Sequence, residues 1–423
     1  MRDVVVVEAV RTPTGRRGGH LSGMHAIDLL GLVQRDVLTR AGIDPVEVGQ
    51  VVGGCVGQAG MQSLNVTRNA WLAAGLPSEV PATTVDAQCG SSQQATNLAF
   101  ALVASGSVDI AIGCGVEIMS RVPMGATTSD QTFGKPINKN YWQHHEFTSQ
   151  FEGAERIADK WSISRDDCDR FGKLSQDRAA QAWSEDRFAS QIFRVEAPNV
   201  PRDNDVVEGS QAASRDEGVR ETTLEGLARL KPTGRPDGVH TAGTSSQIAD
   251  GAAAVLVMSK EKAAHLNVTP LARIVDTCLV GCDPVLMLEG PIPATRSLLE
   301  SNQLQVGDLD LVEINEAFAS VVLAWLREMD IDIEKVNPNG GAIALGHPLG
   351  ATGAMLITKA VHELQRIEGE HAIVTMCCGG GLGTGTLLRR EGWSTSRVPA
   401  TRDARGNPGG CDPKARNSET GKP

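Results

Sequence analysis

Three thiol or imidazole groups sit where a chain presents reactive side chains. Cys89 lies in Val85-Asp-Ala-Gln-Cys-Gly-Ser-Ser-Gln-Gln-Ala, after an apolar stretch and at the head of a helical pattern. Free backbone NH groups and the helix dipole there favour a thiolate, and so predict a pKa below the usual value of about 8.5. A small cysteine buried at a strand end is the bland alternative. His347 falls in Gly340-Gly-Ala-Ile-Ala-Leu-Gly-His-Pro-Leu-Gly-Ala-Thr-Gly, a glycine-rich turn between an extended segment and a helix. The glycines clear space for a ligand, and Pro348 restricts the backbone beside the ring, so a base presented to a cleft is the better reading of this histidine.

Cys377 and Cys378 occur in Thr375-Met-Cys-Cys-Gly-Gly-Gly-Leu-Gly-Thr-Gly, where exposed NH donors would lie beside a thiol. An oxyanion site fits this pattern. A phosphate cradle does not, because the P-loop lysine and the strand, loop and helix order of a dinucleotide fingerprint are missing. Asn315 and Glu316, in Glu313-Ile-Asn-Glu-Ala-Phe-Ala-Ser, end another apolar stretch. Asn315 would serve equally as the N-cap of a following helix.

These groups need a frame. Strands are expected at residues 3–9, 50–54, 83–86, 110–114, 253–258, 311–314 and 372–376, with amphipathic helices at 26–41, 92–105, 294–302 and 353–366. The alternation is an α/β signature. Hydrophobic residues make up 41% but aromatics only 4%, with Tyr141 the sole tyrosine, so the interior must be packed with Val, Ile, Leu and Ala. Buried parallel strands under helices suit that composition.

A formal charge of -11 and a pI near 5.4 argue against nucleic acid as a partner. No apolar run approaches the ~18 residues of a membrane span, and the N-terminus runs straight into a strand without a secretory leader. Nine cysteines, odd in number and without zinc-ribbon spacing, read as reduced thiols of a cytoplasmic protein, and no metal site is expected.

The chain also repeats itself. Ile43-Asp-Pro-Val-Glu-Val-Gly-Gln-Val-Val has the shape of Leu304-Gln-Val-Gly-Asp-Leu-Asp-Leu-Val-Glu. Cys89 then precedes a turn, a helix and the strand Val108-Asp-Ile-Ala-Ile-Gly-Cys-Gly, as His347 precedes a turn, a helix and His371-Ala-Ile-Val-Thr-Met-Cys-Cys-Gly. Two similarly folded halves would bring the loops of Cys89 and His347 together. Between them, residues 121–240 are more polar, with long helical patterns around 159–187, and read as an inserted lobe. Residues 391–423, rich in Gly, Pro, Ser and charge, read as a disordered tail.

Read together, Cys-Gly-Ser at Cys89, Asn-Glu-Ala-Phe-Ala at Asn315, Gly-His-Pro-Leu-Gly at His347 and Cys-Cys-Gly-Gly-Gly-Leu-Gly at Cys377 resemble the thiolase family. Arg11-Thr-Pro, Ala74-Gly-Leu-Pro, Thr241-Ala-Gly-Thr-Ser-Ser and Asp250-Gly-Ala-Ala-Ala extend the resemblance over roughly residues 3–389. It implies an α/β thiolase fold, with two βαβαβαββ halves stacked in five layers (αβαβα). Residues 1–120 plus 241–268 would form the first half, 121–240 a loop domain holding coenzyme A and acyl group, and 269–390 the second half. It implies thiolytic cleavage of 3-ketoacyl-CoA, with Cys89 as nucleophile, His347 as base and Cys377 as proton carrier. Asn315 would anchor a water, and the NH groups of Cys89 and Gly379 would hold an oxyanion. Arg220 is expected near the nucleotide of coenzyme A and Ser246 near its pantetheine. Coenzyme A would be a co-substrate with no permanently bound cofactor, and the assembly a homodimer or homotetramer.

Departures from the family bear on the substrate. Gln150-Phe-Glu-Gly-Ala-Glu stands where many thiolases have Met-Gly-x-Thr-Ala-Glu. Ser92 replaces a common glycine and Asp86 a frequent asparagine. These last two changes, with Arg220-Glu-Thr-Thr and His240-Thr-Ala-Gly-Thr-Ser-Ser-Gln-Ile, resemble actinobacterial thiolases acting on steroid side chains, and so point to a bulky acyl group. A biosynthetic acetoacetyl-CoA thiolase and a non-catalytic acyl-CoA or sterol binder are the alternatives. A decarboxylating ketoacyl synthase would want a second histidine where this chain has Cys377.

Overall fold

The computed structural model describes residues 1–129, 132, 134–199 and 209–391. In chain order the first part contains β1 (Val4–Arg11), β2 (Gly15–Arg16), α1 (Ala26–Ala41), β3 (Gln50–Gly54), α2 (Val66–Ala73), β4 (Ala82–Val85), α3 (Ser91–Ala104) and β5 (Ile110–Ile118). The inserted segment carries α4 (Gln150–Lys160), α5 (Arg165–Ser184), the hairpin β6 (Val195–Pro198) and β7 (Ser210–Ala213), and α6 (Leu224–Ala228). Then come β8 (Ala249–Ser259), α7 (Lys260–His265), β9 (Ala272–Gly281), α8 (Pro291–Ser301), β10 (Leu311–Ile314), α9 (Ala319–Met329), α10 (Ala342–Leu345), α11 (Leu349–Arg366), β11 (His371–Cys378) and β12 (Leu382–Arg390).

The duplication is plain in the strand order, β10-β11-β12-β9-β1-β8-β5-β3-β4. Read outward from the middle, β1-β8-β5-β3-β4 mirrors β9-β12-β11-β10. Where the first half has β4, the second has only the single bridge between Val312 and Val336. Val4–Val6 pair with Ala272–Ile274, so the two half-sheets join into one ladder at a three-residue seam. The long insert returns to the first half, because β8 pairs with both β1 and β5.

Side-chain alternation along each strand builds the layers. Ala252, Ala254, Leu256 and Met258 of β8 pack with Leu29, Leu30, Val33 and Val37 of α1 and Trp71 of α2. Ala253, Val255 and Val257 of the same strand face a central core shared with α3, α11 and the second half. On the far side Val312, Ile314, Ile373 and Leu387 pack with α8 and α9 and with Ile157 and Phe171 of α4 and α5. The result is helix, strand, helix, strand, helix, with α3 and α11 in the middle.

Local signals set the element ends. Helix α1 stops at Gly42, whose φ of 66° suits glycine. The helical pattern around 159–187 resolves into two helices, and Ser164 starts the second with a capping box to Asp167. β9 and β12 were not among the expected strands. Beyond Glu391, the tail expected over 391–423 lies outside the described residues.

Candidate active site

Cys89 stands on a turn fastened by its own short side chains. Asp86 accepts the Gln88 NH at 2.7 Å, while Ser91 Oγ accepts the Ala87 NH at 3.0 Å and donates to the Gln88 carbonyl at 2.6 Å. Gln88 itself is left-handed, with φ 52°. Gly90 then caps α3, and a Cβ there would stand 2.5 Å from Cys378 Sγ, so only glycine fits.

The half-buried Cys89 thiol faces the NH groups of Gly379 and of Cys89 itself. Burial pushes its pKa up to about 11, while those two donors pull it down. This reverses the expectation of a lowered thiol. Desolvation outweighs the helix terminus, so the resting group is a thiol that needs a base.

That base is His347. Its backbone NH donates to Gln247 O at 3.0 Å. Thr352 Oγ1 donates to Pro348 O at 3.0 Å and lies 2.6 Å from His347 Nδ1, so it accepts the Nδ1–H. Nε2 is thereby left with a free lone pair. Asn315 Nδ2 lies 3.5 Å from it, at the limit of a hydrogen bond. Burial lowers the imidazole pKa to about 4, so the ring is neutral at physiological pH.

Asn315 is not a helix cap. Phe318 occupies the N-cap of α9, without a side-chain cap bond. Asn315 is fully buried, its NH donates to Thr375 O at 3.1 Å, and its Oδ1 has no hydrogen-bond partner among the described residues.

Cys377 and Cys378 are both fully buried on β11 but point to opposite faces. Cys377 belongs to the core with α8 and α9, and Cys378 to the central core. Burial holds the Cys377 thiol well above its ordinary pKa, and the charge of a Cys89 thiolate raises it further. Cys378 is raised by burial and by Cys89 too, but its sulfur is engaged by the Thr384 hydroxyl and the Gly90 NH.

Cys89 and His347 open onto one cleft with about 790 Å³ of empty space, part of it continuous with solvent. Ser246 lines the same cleft, between Ser245 and Gln247. Arg220 lies instead in a separate surface depression with Lys173, Arg215 and Thr223.

Two family models match in tandem, the thiolase N-terminal domain over residues 4–261 and the thiolase C-terminal domain over 268–390. The chain belongs to the thiolase family. This thiolase is 46% identical over 397 residues to a steroid 3-ketoacyl-CoA thiolase of Mycobacterium tuberculosis, covering 92% of this chain and 95% of the relative. A β-ketoadipyl-CoA thiolase of Escherichia coli is 43% identical over 406 residues, 92% of this chain and the whole of the relative. The crystal structure of human mitochondrial 3-ketoacyl-CoA thiolase superposes with a TM-score of 0.83 at 36% identity, over 92% of this chain and 99% of the other.

Two buried carboxylates hold the site together, one outside every motif and one inside the Asn-Glu-Ala-Phe-Ala run. Glu117, buried at the end of β5, accepts the NH groups of Val56, Gly57 and Gly350 at 2.9–3.0 Å. It thus fixes the start of α11, just after His347, to the first half of this thiolase. Glu316 accepts from Ser175 Oγ at 2.6 Å, Asn337 Nδ2 at 2.9 Å and the Ile343 NH at 3.1 Å, which clamps the segment leading to His347. Thr352 had a visible signal, since it lies two residues past the Gly-His-Pro-Leu-Gly motif in the same glycine-rich run as His347.

Proposed function

We propose that this thiolase cleaves 3-ketoacyl-CoA with coenzyme A, releasing acetyl-CoA or propionyl-CoA and a shortened acyl-CoA. The reading rests above all on one observation: a half-buried thiol meets two NH donors in a cleft it shares with a neutral, oriented imidazole.

His347 Nε2 takes the Cys89 proton as the sulfur attacks the 3-keto carbon. The tetrahedral oxyanion sits against the NH groups of Cys89 and Gly379, each contributing on the order of 3 kcal/mol to the barrier. Breakage of the carbon–carbon bond expels the enolate of the shorter CoA thioester. A water on Asn315, together with the imidazolium, holds the enolate oxygen, and Cys377 delivers its proton to the carbon. Coenzyme A then enters, gives its thiol proton to the Cys377 thiolate and displaces the acyl group from Cys89. Such a carrier must be a poor acid at rest, which the raised Cys377 thiol provides.

The apolar wall of Met119, Met124, Phe151 and Leu288 suits the acyl group of a fatty acid or steroid side chain in β-oxidation, and the mycobacterial steroid 3-ketoacyl-CoA thiolase favours a steroid-derived one. We read 1–120 with 241–268 and 269–390 as the two halves, and 121–240 as the lobe for coenzyme and acyl group, with Ser246 at the pantetheine and Arg220 at the nucleotide. Assembly as a homodimer or homotetramer is supported by β4, an outermost strand of the ladder with Thr83 exposed. Free cysteines throughout the described residues suit a reducing cytoplasm.

The test is coenzyme-A-dependent loss of 3-ketoacyl-CoA absorbance across acetoacetyl-CoA, long straight chains and a steroid side-chain CoA thioester. Turnover rising with acyl size is expected. Binding without turnover of any of them would identify a non-catalytic binder, and preference for acetoacetyl-CoA would favour the biosynthetic role.

A further inference from the structure

The cleft beside Cys89 has two unlike walls. One is the run Ser245–Ile248. Its Gln247 side chain is consumed by the carbonyls of Gly218, Ile343 and Ala344 at 3.0, 2.8 and 3.2 Å. Gly218 O also receives Arg220 Nη1 at 3.4 Å, so this wall leads toward the Arg220 depression and is the coenzyme side. The other wall is Met119, Met124, Gln150, Phe151 and Leu288, left for the acyl group. It is apolar except for Gln150, and no lysine or arginine lines the cleft among the described residues.

Gln150 is held on a firm support. It is the first residue of α4, which Ser149 caps by accepting the Glu152 NH at 3.2 Å and which buries Ala154 and Ile157 against the second half. Thr233 and Ser245 on the coenzyme side spend their hydroxyls on backbone carbonyls, His240 O at 3.3 Å and Thr241 O at 2.9 Å. Gln150 Nε2 instead donates to Met124 Sδ at 3.4 Å. A thioether is a weak acceptor, so an oxygen brought into the cleft displaces it at little cost. A donor aimed at a poor partner from an otherwise apolar wall is a recognition group rather than a packing one.

We infer that Gln150 is a specificity-determining residue that donates a hydrogen bond to an oxygen on the acyl group, remote from the 3-keto carbon. The preferred substrates are then 3-ketoacyl-CoA thioesters whose largely apolar acyl chain carries a carboxylate or a second ketone. The inference rests on the thiolysis reading above.

Matched substrates test it. 3-Ketoadipyl-CoA is compared with 3-ketohexanoyl-CoA, which has the same length without the terminal carboxylate. 3,6-Dioxoheptanoyl-CoA is compared with 3-ketoheptanoyl-CoA, which lacks the second ketone. In at least one pair kcat/KM should favour the oxygen-bearing member roughly three- to tenfold, as expected for one hydrogen bond from a half-exposed donor. Gln150→Met, similar in shape but without a donor, should bring that ratio close to one. Gln150→Glu should lose the carboxylate substrate more than the ketone.

Ratios near one in both wild-type pairs, or a ratio unmoved by Gln150→Met, overturn the assignment while leaving thiolysis standing. If the wild type cleaves neither these four thioesters nor any of the panel above, thiolysis itself fails and the inference goes with it; if it cleaves the panel but none of the four, the inference fails while thiolysis stands. A preference in the first pair alone identifies a carboxylate, and in the second alone a ketone.

Discussion

Cys114 and Cys377 lie on the same face of matching strands in the two halves, with Cys377 one same-face position further along. Each follows an apolar run on the strand leaving a central helix, and each points toward the outer helices. Yet Cys114 is spent on structure: its thiol donates to Val52 O and accepts from Gln34 Nε2, both at 3.6 Å, and burial pushes its pKa up to about 12. Cys377 instead interacts with the charge of Cys89. The same division separates the turns. One half presents a nucleophile on a turn tied by Asp86 and Ser91, and the other presents a base on a turn tied by Thr352 and Glu316. A duplicated frame can therefore hold unlike chemistry on matching strands and turns, because the tie that orients each group is local.

Breaking one member of each pair sharpens the contrast. Cys89→Ala should lower kcat by roughly 10⁴ or more, since the covalent route is closed. Cys114→Ala should leave kcat unchanged and cost about 1 kcal/mol in a urea melt, as an ordinary core truncation. Comparable losses of turnover in both would erase the distinction.

A smaller gap is expected between the vicinal thiols. Cys377→Ala should reduce kcat by roughly 10²–10⁴, the usual worth of a placed proton carrier. Cys378→Ala should act chiefly on stability, again by about 1 kcal/mol. If Cys378→Ala proves the more damaging to kcat, the two roles are exchanged.

The mildest break is at Thr352. Thr352→Val removes the acceptor for Nδ1–H and should lower kcat about tenfold, with Thr352→Ser restoring it. His347 must be neutral to act, and burial disfavours its charged form. Activity is thus lost only as pH falls through the depressed value of about 4, not near the ordinary 6.5. In the wild type kcat/KM should hold down to about pH 5; a midpoint near 6.5 would place the imidazole in solvent.

Much of this arrangement is legible in the residues. The spacing of Leu29, Leu30, Val33 and Val37 gives α1 with both of its ends, and the internal repeat anticipates the mirrored halves. β12 is hidden because Gly383 and Gly385 read as part of a loop. In the fold both are strand positions, where a Cβ would strike Gly290 in one case and Cys278 Sγ in the other. β9 is hidden by Asp276 and Thr277 on a half-exposed strand. At the site, the sequence marks Cys89 as a thiol at a helix start but carries no measure of desolvation, which decides the sign of its pKa shift. Asn315 looks like a capping residue because short polar groups serve caps and sites alike, and Glu316 beside it shows no partner in the sequence. Only tertiary contact shows Glu316 facing Ser175 and Ile343.

The pairing of Ile118 with Asp250 has a consequence for how such enzymes diversify. The chain departs from the sheet after one of these residues and rejoins it at the other, on neighbouring strands of a single rung. The stretch that meets the acyl chain, Gln150 included, lies between them and can be exchanged with the rung still closed, provided the bonds from the His347 NH to Gln247 O and from Ser175 to Glu316 are kept. Cys89, His347 and Cys377 all lie outside that excursion. The catalytic groups are thereby separated in sequence from the residues that meet the acyl chain, and new substrates can be tried while those bonds hold the chemistry in place.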